Sequence, residues 1–469
     1  MDQLLQWLAV IDGLLWGPWT MIFIAFVSVF FTVRTGFFQV FGARYIARFT
    51  LFKTGQEAGK KDSGSMSSFQ AMATSLGGTV GMGNMAGVAT ALSVGGAGAV
   101  FWMWLLAFFG MMSKTVEITL GVHYRERGPD GRLRGGPMHT IRRGLGWSPL
   151  ATLFSVGMLI NAVFAASMLQ SHTVGRALLA SYGINPYLVT GAMAVITALV
   201  VLGGVRRVGQ VSGWLVPLMS FAYLAGGLLV IALNFRQIPE VFQSIFTYAF
   251  RPMSGVGGAT GIAVATVIKQ GMARGMLSNE AGLGTSPMVH AVANTRHPFE
   301  QGLWGAFEVF FDTVVVCSIT AFAILSTGAL SSGESGIELL LAAFSRSLPQ
   351  GTAESIVSIS IATFCLSTQI GFFIYFETCL VSLVGVRWFR ALRWFYFIPG
   401  VIFAGVADVD QLWLFANIAV AVVAIPNLFA MLFLSGVFLT LMRDHISGEN
   451  RYATANVDGT EKVLRGGSA

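Results

Sequence analysis

Charge is the scarcest property of this sequence. Only 11% of its 469 residues are Asp, Glu, Lys or Arg, against roughly 25% in an ordinary soluble domain. A soluble fold of this length lacks the polar residues to cover its surface, so that class is excluded. Cysteine is nearly absent: Cys317, Cys365 and Cys379 all fall inside apolar runs, which points to packing and excludes a disulfide framework or a metal cluster. The N-terminus has no basic stretch ahead of its first apolar run, only Asp2 and Asp12, so that run reads as a retained helix, not a signal peptide. There is no phosphate-cradling glycine loop with a lysine, which argues against an ATP-driven pump. The six histidines, His123, His139, His172, His290, His297 and His445, are scattered near loops and span ends. No converging nucleophile, base or metal set marks an enzyme.

What is present is 54% hydrophobic residues, arranged in recurring apolar runs of about 20, each able to cross a hydrocarbon core of roughly 30 Å. The fold class is therefore an all-α polytopic membrane protein. Eleven spans are expected, at 14–33, 69–92, 99–120, 150–170, 187–202, 211–233, 258–292, 302–325, 353–385, 394–407 and 413–442. The domains are a first helix with a basic loop (1–68), a five-span unit (69–233), a second five-span unit (258–442) and a polar tail (443–469). Basic residues cluster in alternate loops, at Arg34–Lys61, Arg125–Arg143, Arg206–Arg207 and Arg387–Arg393, and in the tail. The intervening loops hold only Arg176, Arg236, Arg251 and Arg346. Cytoplasmic loops carry the excess of Lys and Arg, so the N-terminus is outside and the C-terminus inside. These loops also account for the sequence pI near 9.5 without a nucleic acid partner.

Glycine, at 56 residues, exceeds its usual share of about 7%. The second span carries five glycines in eleven residues, Gly77-Gly-Thr-Val-Gly-Met-Gly-Asn-Met-Ala-Gly87. At about 1 kcal/mol lost per glycine relative to alanine, a helix barely holds there. The seventh span places Gly271, Gly275, Gly282 and Gly284 around Ser278-Asn279-Glu280. Each glycine-rich span opens one five-span unit, and paired interrupted helices point to an inverted-repeat transporter. The alternative is that both are close-packing glycine faces. An unwound helix at mid-membrane exposes N–H groups at one half-helix end and carbonyls at the other. These suit a carboxylate and a desolvated cation respectively, so a zwitterion is a natural ligand. A channel is the rival class, but two dissimilar broken helices favour alternating access over a repeated filter.

Val80-Gly-Met-Gly-Asn-Met-Ala-Gly-Val-Ala89, Gly95-Gly-Ala-Gly-Ala-Val-Phe-Trp-Met-Trp104, Gly135-Gly-Pro-Met138, Ala273-Arg-Gly-Met-Leu-Ser-Asn-Glu-Ala-Gly-Leu-Gly284 and Asp312-Thr-Val-Val-Val-Cys317 resemble the signatures of the alanine or glycine:cation symporter family. The resemblance runs from the second span to the ninth. It implies a LeuT-type fold, a five-plus-five inverted repeat behind one additional N-terminal helix, in a bacterial plasma membrane. The implied function is secondary active import of a small neutral amino acid such as alanine or glycine. Sodium is the coupling ion and no other cofactor is implied; a proton-coupled carrier of a different small apolar amino acid is the alternative.

The same likeness assigns sodium to the carbonyls of Gly77 and Val80 and to Phe364, Ser367 and Thr368 of the ninth span. It assigns the substrate to the first break at Gly78, Thr79, Met82 and Gly83, to Gln170, to Gly271 and Gly275 of the second break, and to Phe372. Independently, Ser360, Thr363 and Ser367 form a polar stripe on one helical face, although such hydroxyls also bond back to carbonyls four residues earlier. Gln170 could equally make an interhelical hydrogen bond. Two departures affect the pocket: the family usually has threonine at Met82, and its Gly-Trp-Ser-Tyr-Tyr-Gly-Glu run reads Gly371-Phe-Phe-Ile-Tyr-Phe-Glu377 here. Among the ionic residues inside spans, Lys114 and Glu117 sit at i, i+3 and can neutralise one another. Glu308 and Asp312, at i, i+4, read either as a proton-sharing pair or as a network with Lys269 or Arg274. Glu377 has no assigned role.

The topology is testable by cysteine accessibility. Single cysteines across 125–143 should label only from the cytoplasmic side, and those across 331–338 only from outside; the reverse pattern contradicts the eleven-span arrangement.

Overall fold

A computed structural model describes residues 2–52, 65–251, 264–403, 409–448 and 452. The basic residues Lys53, Lys60 and Lys61, the start of the expected seventh span, the end of the tenth and nearly all of the tail lie outside the described residues.

The chain is mostly helical. In order, the helices that matter are α1 (Asp2–Leu15), α2 (Pro18–Arg34), α3 (Ser68–Thr79), α4 (Val88–Gly95), α5 (Ala99–His123), α6 (Ser148–Asn161), α7 (Gln170–Tyr182), α8 (Pro186–Val201), α9 (Gly204–Leu233), α10 (Val264–Asn279), α11 (Ser286–His290), α12 (Pro298–Val309), α13 (Ser318–Ser326), α14 (Gly336–Ser345), α15 (Gln350–Leu392), α16 (Val409–Phe433) and α17 (Ser435–Ser447). A short hairpin pairs β1 (Glu126–Arg127) with β2 (Leu133–Arg134). Among the described residues, seven helical stretches are long and apolar enough to cross a membrane: Gln6–Arg34, Ala99–His123, Ser148–Tyr182, Gly204–Leu233, Pro298–Ser326, Gln350–Ile402 and Gln411–Phe433. Large apolar side chains cover their outer surface, among them Trp19, Phe221 and Phe433, as lipid contact requires.

The remaining expected spans fall short of this length for separate reasons. The second and seventh are interrupted, into α3/α4 and α10/α11. The fifth is the 16-residue α8. The tenth follows the ninth within one helical stretch that bends at Gly385, where φ is +80° and ψ 170°.

The core lies where the two interrupted spans meet α5, α9, α12 and α15. Small residues set these crossings. A Cβ on Gly371 of α15 would lie 3.0 Å from both Gly78 Cα and Thr74 O of α3. A Cβ on Gly305 of α12 would lie 2.8 Å from the Lys114 carbonyl of α5. Without a hydrophobic drive between helices in lipid, such close backbone approach is what holds them together. Beyond the end of α5, Arg134 grips Asp130 of the hairpin through two bonds of 2.6 Å. That grip holds the Asp130 carboxyl down at about 2. Arg132 and Arg134 also reach Glu377, at 3.3 and 3.9 Å, which gives this carboxylate of α15 its partners.

The α3–α15 crossing carries a stability prediction. Gly371→Val should destabilise the protein by about 1–3 kcal/mol, the usual cost of overpacking, seen as a lower melting temperature in detergent. Gly351→Val, where a Cβ meets nothing within 4 Å, should change it little. Equal melting of the two variants contradicts this packing.

Candidate functional site

The first break is built by local chemistry. Ser67 caps α3 through a reciprocal pair with Gln70: Gln70 N donates to Ser67 Oγ at 3.1 Å and Ser67 N to Gln70 Oε1 at 3.0 Å. The helix stops at Thr79 because Val80 turns to an extended conformation, φ −72° and ψ 98°, inside a segment too rich in glycine to resist. The freed Gly81 amide donates to Asn84 Oδ1 at 3.0 Å. A π-helical turn, Gly83–Gly87, then leads into α4.

Four oxygens converge on the end of α3. The Ser367 hydroxyl lies 2.9 Å from both Gly77 O and Phe364 O. The Thr368 hydroxyl lies 3.3 Å from Gly77 O and 3.1 Å from Phe364 O. Of the residues assigned to sodium, the structure thus brings Gly77, Phe364, Ser367 and Thr368 together, with Val80 at the break beside them. Thr363 of the polar stripe instead bonds back to Ile359 O at 2.8 Å, as a solitary membrane threonine does.

The residues assigned to substrate divide. Gln170, only 8% exposed, has no hydrogen-bond partner for Oε1 among the described residues. A Cβ on Gly81 would lie 3.6 Å from that oxygen and 2.6 Å from Thr368 Oγ1. Gln170, Gly81 and Thr368 therefore face one another across the break. Met82 Sδ takes a bond from Thr173 Oγ1 at 3.5 Å. Gly83 stands over Ser278, whose Cα is 3.5 Å from the Cβ position, so it joins the first break to the second. Thr79 bonds back to Leu76 O at 3.1 Å. Gly78 meets α15, its Cβ position 2.9 Å from the Tyr375 hydroxyl, and Phe372 lies edge-on to Tyr375 with ring centres 4.9 Å apart.

Gly271 and Gly275 are turned away from the first break. A Cβ on Gly271 would meet Trp102 Cβ at 2.7 Å, and one on Gly275 would meet Met103 Cα at 3.4 Å. They form the close contact of α10 with α5, which is the packing role open to any small-residue face.

The second break falls between Asn279 and Ser286. Glu280, Gly282 and Gly284 take φ of +54°, +89° and +79°, conformations only glycine adopts freely. The two breaks share a polar network. Asn84 Nδ2 donates to Ser278 Oγ at 2.9 Å and Asp312 Oδ1 at 2.8 Å, and Ser278 Oγ donates to Asp312 Oδ2 at 2.6 Å. Thr313 adds a bond to Asp312 Oδ2 at 2.9 Å. Glu308 belongs to another cluster, with Ser75 at 3.0 Å, Ser286 at 3.2 Å and His290 at 2.6 Å.

This corrects both readings of the pair at 308 and 312. The carboxylates share no hydrogen-bond partner, and among the described residues no ion pair joins either of them to Lys269 or to Arg274, whose guanidinium lies 4.8 Å from the Trp413 ring centre. Lys114 and Glu117 do meet, at 3.6 Å, but each also bonds the backbone of the second break. Asn84, Ser75 and Asn427 of α16, which donates to Glu117 Oε2 at 2.9 Å, are not among the candidates that the sequence singles out. Their signal was available, because an unpaired amide or hydroxyl inside an apolar run needs an internal partner.

Residues 1–458 match the family described as the sodium:alanine symporter family. The chain is 35% identical over 438 residues to the sodium/alanine symporter AgcS of Methanococcus maripaludis, covering 92% of this chain and 94% of that one. It is 32% identical over 459 residues to a putative sodium/proton-dependent alanine carrier protein, YrbD, of Bacillus subtilis, covering 94% and 92%. In fold it resembles a crystal structure of a manganese transporter mutant from Eremococcus coleocola, with a TM-score of 0.50 at 14% identity, over 82% of this chain and 79% of that one.

Proposed function

The chain belongs to the sodium:alanine symporter family and is a cation-coupled amino acid symporter; from this premise we propose that its first broken span binds the coupling ion and the substrate side by side. One observation carries the reading: the hydroxyls of Ser367 and Thr368 and the carbonyls of Gly77 and Phe364 converge at the end of α3. Carbonyl and hydroxyl oxygens at a half-helix C-terminus are the ligands that sodium takes in place of water. The Val80 carbonyl, released by the extended turn, completes the set.

The substrate is a small neutral amino acid of the alanine type. Its carboxylate meets backbone amides from Met82 and Gly83 onward, and Gln170 Oε1 accepts from its amine. Thr79 and Gly78 hold the break in shape, and Met82 and Phe372 set the side-chain space. In this reading the chain has eleven spans in a LeuT-type arrangement, residues 69–233 and 258–442 being the inverted repeats behind the first helix. It sits in a bacterial plasma membrane, N-terminus outside and C-terminus inside, and works by alternating access. Gly271 and Gly275 act in helix packing.

Proton coupling is a second reading, and Asp312 favours it. This carboxylate is 0% exposed and accepts from Asn84, Ser278 and Thr313, yet no ion pair reaches it among the described residues.

Two variants separate the roles in proteoliposome uptake. Replacing both Ser367 and Thr368 with alanine should abolish sodium dependence; full dependence in that variant places the cation elsewhere. Met82→Thr should re-rank glycine, alanine and larger aliphatic substrates by about 10–200-fold, the range one methylene commands in such a pocket, with sodium dependence kept. An unchanged ranking removes Met82 from the pocket.

A further inference from the structure

The two breaks are satisfied by different chemistry. At the first, every partner named above is neutral: Asn84 for an amide, Ser367 and Thr368 for a carbonyl. At the second, a charged pair from one helix takes part. Lys114 and Glu117 of α5 are both 0% exposed. Lys114 Nζ donates to the carbonyls that end α10, Asn279 O at 3.0 Å and Glu280 O at 3.2 Å. Glu117 Oε2 accepts from the amides of the interrupted turn, Gly282 N at 3.1 Å and Gly284 N at 3.0 Å. Asn427 of α16 closes the arrangement, donating to Glu117 Oε2 and to Gly282 O, both at 2.9 Å. Glu280 itself is folded back, accepting from Thr285 Oγ1 at 2.6 Å.

The cation thus sits at the negative end of one half-helix, and the anion on the amides that follow. A free amino acid bound in a helix break presents the same two charges in the same sense. We infer that Lys114 and Glu117 are positioning residues that occupy the second break as a tethered substitute for a zwitterion. That break stays unwound without ligand, and the transported amino acid binds only at the first. The inference rests on assigning substrate to the first break, and it adds what the second is for. It is a pivot in α10/α11 whose freed backbone groups remain satisfied while the halves move.

Orientation is the distinguishing feature. A simple buried ion pair is indifferent to which residue carries which charge, whereas a pair spread across a break is not. In the full-length protein in liposomes, Glu117→Gln should lower the maximal alanine uptake rate at least 100-fold and leave the KM for alanine within about threefold, because the substrate site is elsewhere. The swap of Lys114→Glu with Glu117→Lys should not restore uptake. Restored uptake in the swap, or a KM raised in step with the loss of rate, overturns the inference.

Hydrogen exchange in the wild-type protein gives a test that needs no variant. The amides of 282 and 284 should exchange slowly without ligand and at the same rate with saturating sodium and alanine. Fast exchange that slows on addition of alanine overturns the inference. Unchanged exchange across 77–84 on that addition counts instead against the substrate site at the first break, so the two failures are distinct.

Discussion

Everything in this structure depends on one constraint: within lipid, each backbone N–H and C=O must find a partner inside the protein. A group left without one costs several kcal/mol. An unbroken helix meets that requirement by itself. Among the described residues the two glycine-rich spans give it up, at 80–82 and 280–285, and the surrounding helices are arranged to answer for the groups released. α15 brings hydroxyls to the first break. α5 brings an ion pair to the second. Asn84, Ser278 and Asp312 tie the two together.

The difference between the two sets of partners explains how one scaffold can both bind and move. In the proposed reading, neutral hydroxyls and amides hold the first break loosely enough for a cation and a zwitterion to bind there side by side. Charged partners hold the second break permanently. A buried ion pair is a weak source of stability, but removal of one member is costly because it leaves the other uncompensated. Such a pair fixes a geometry more than it stabilises a fold, and fixed geometry is what a pivot requires.

Much of this was legible in the sequence. Apolar run length gave the helical membrane class, and glycine density located both interruptions. The family resemblance groups Ser367 and Thr368 with Gly77 and Phe364 as cation ligands, and both hydroxyls lie within hydrogen-bond distance of both carbonyls in the fold. What sequence did not reveal was direction. Gly271 and Gly275 sit on an interrupted span yet face α5 and not the first break, and spacing along one helix does not say which neighbour a face meets. Glu308 and Asp312 are one turn apart but lie in different networks, because His290 and Asn84 reach them from segments distant in sequence. Arg274 stacks on Trp413, a contact set by the approach of α16. Lys114 and Glu117 were seen as a pair, but their backbone partners lie about 165 residues away. Among the described residues, seven continuous stretches stand where eleven were expected, because two expected spans are interrupted, one is only 16 residues long and one follows its neighbour around the bend at Gly385.

The central claim is that coupling ion and amino acid share the first break, and equilibrium binding tests it most directly. Labelled alanine should be titrated onto the purified protein with and without sodium, and sodium binding followed with and without alanine. Adjacent sites built on the one break at Gly77–Gly83 predict that sodium raises the affinity for alanine and that alanine raises the affinity for sodium by the same factor, as linkage requires. An alanine affinity that is identical in the presence and absence of sodium would contradict the account.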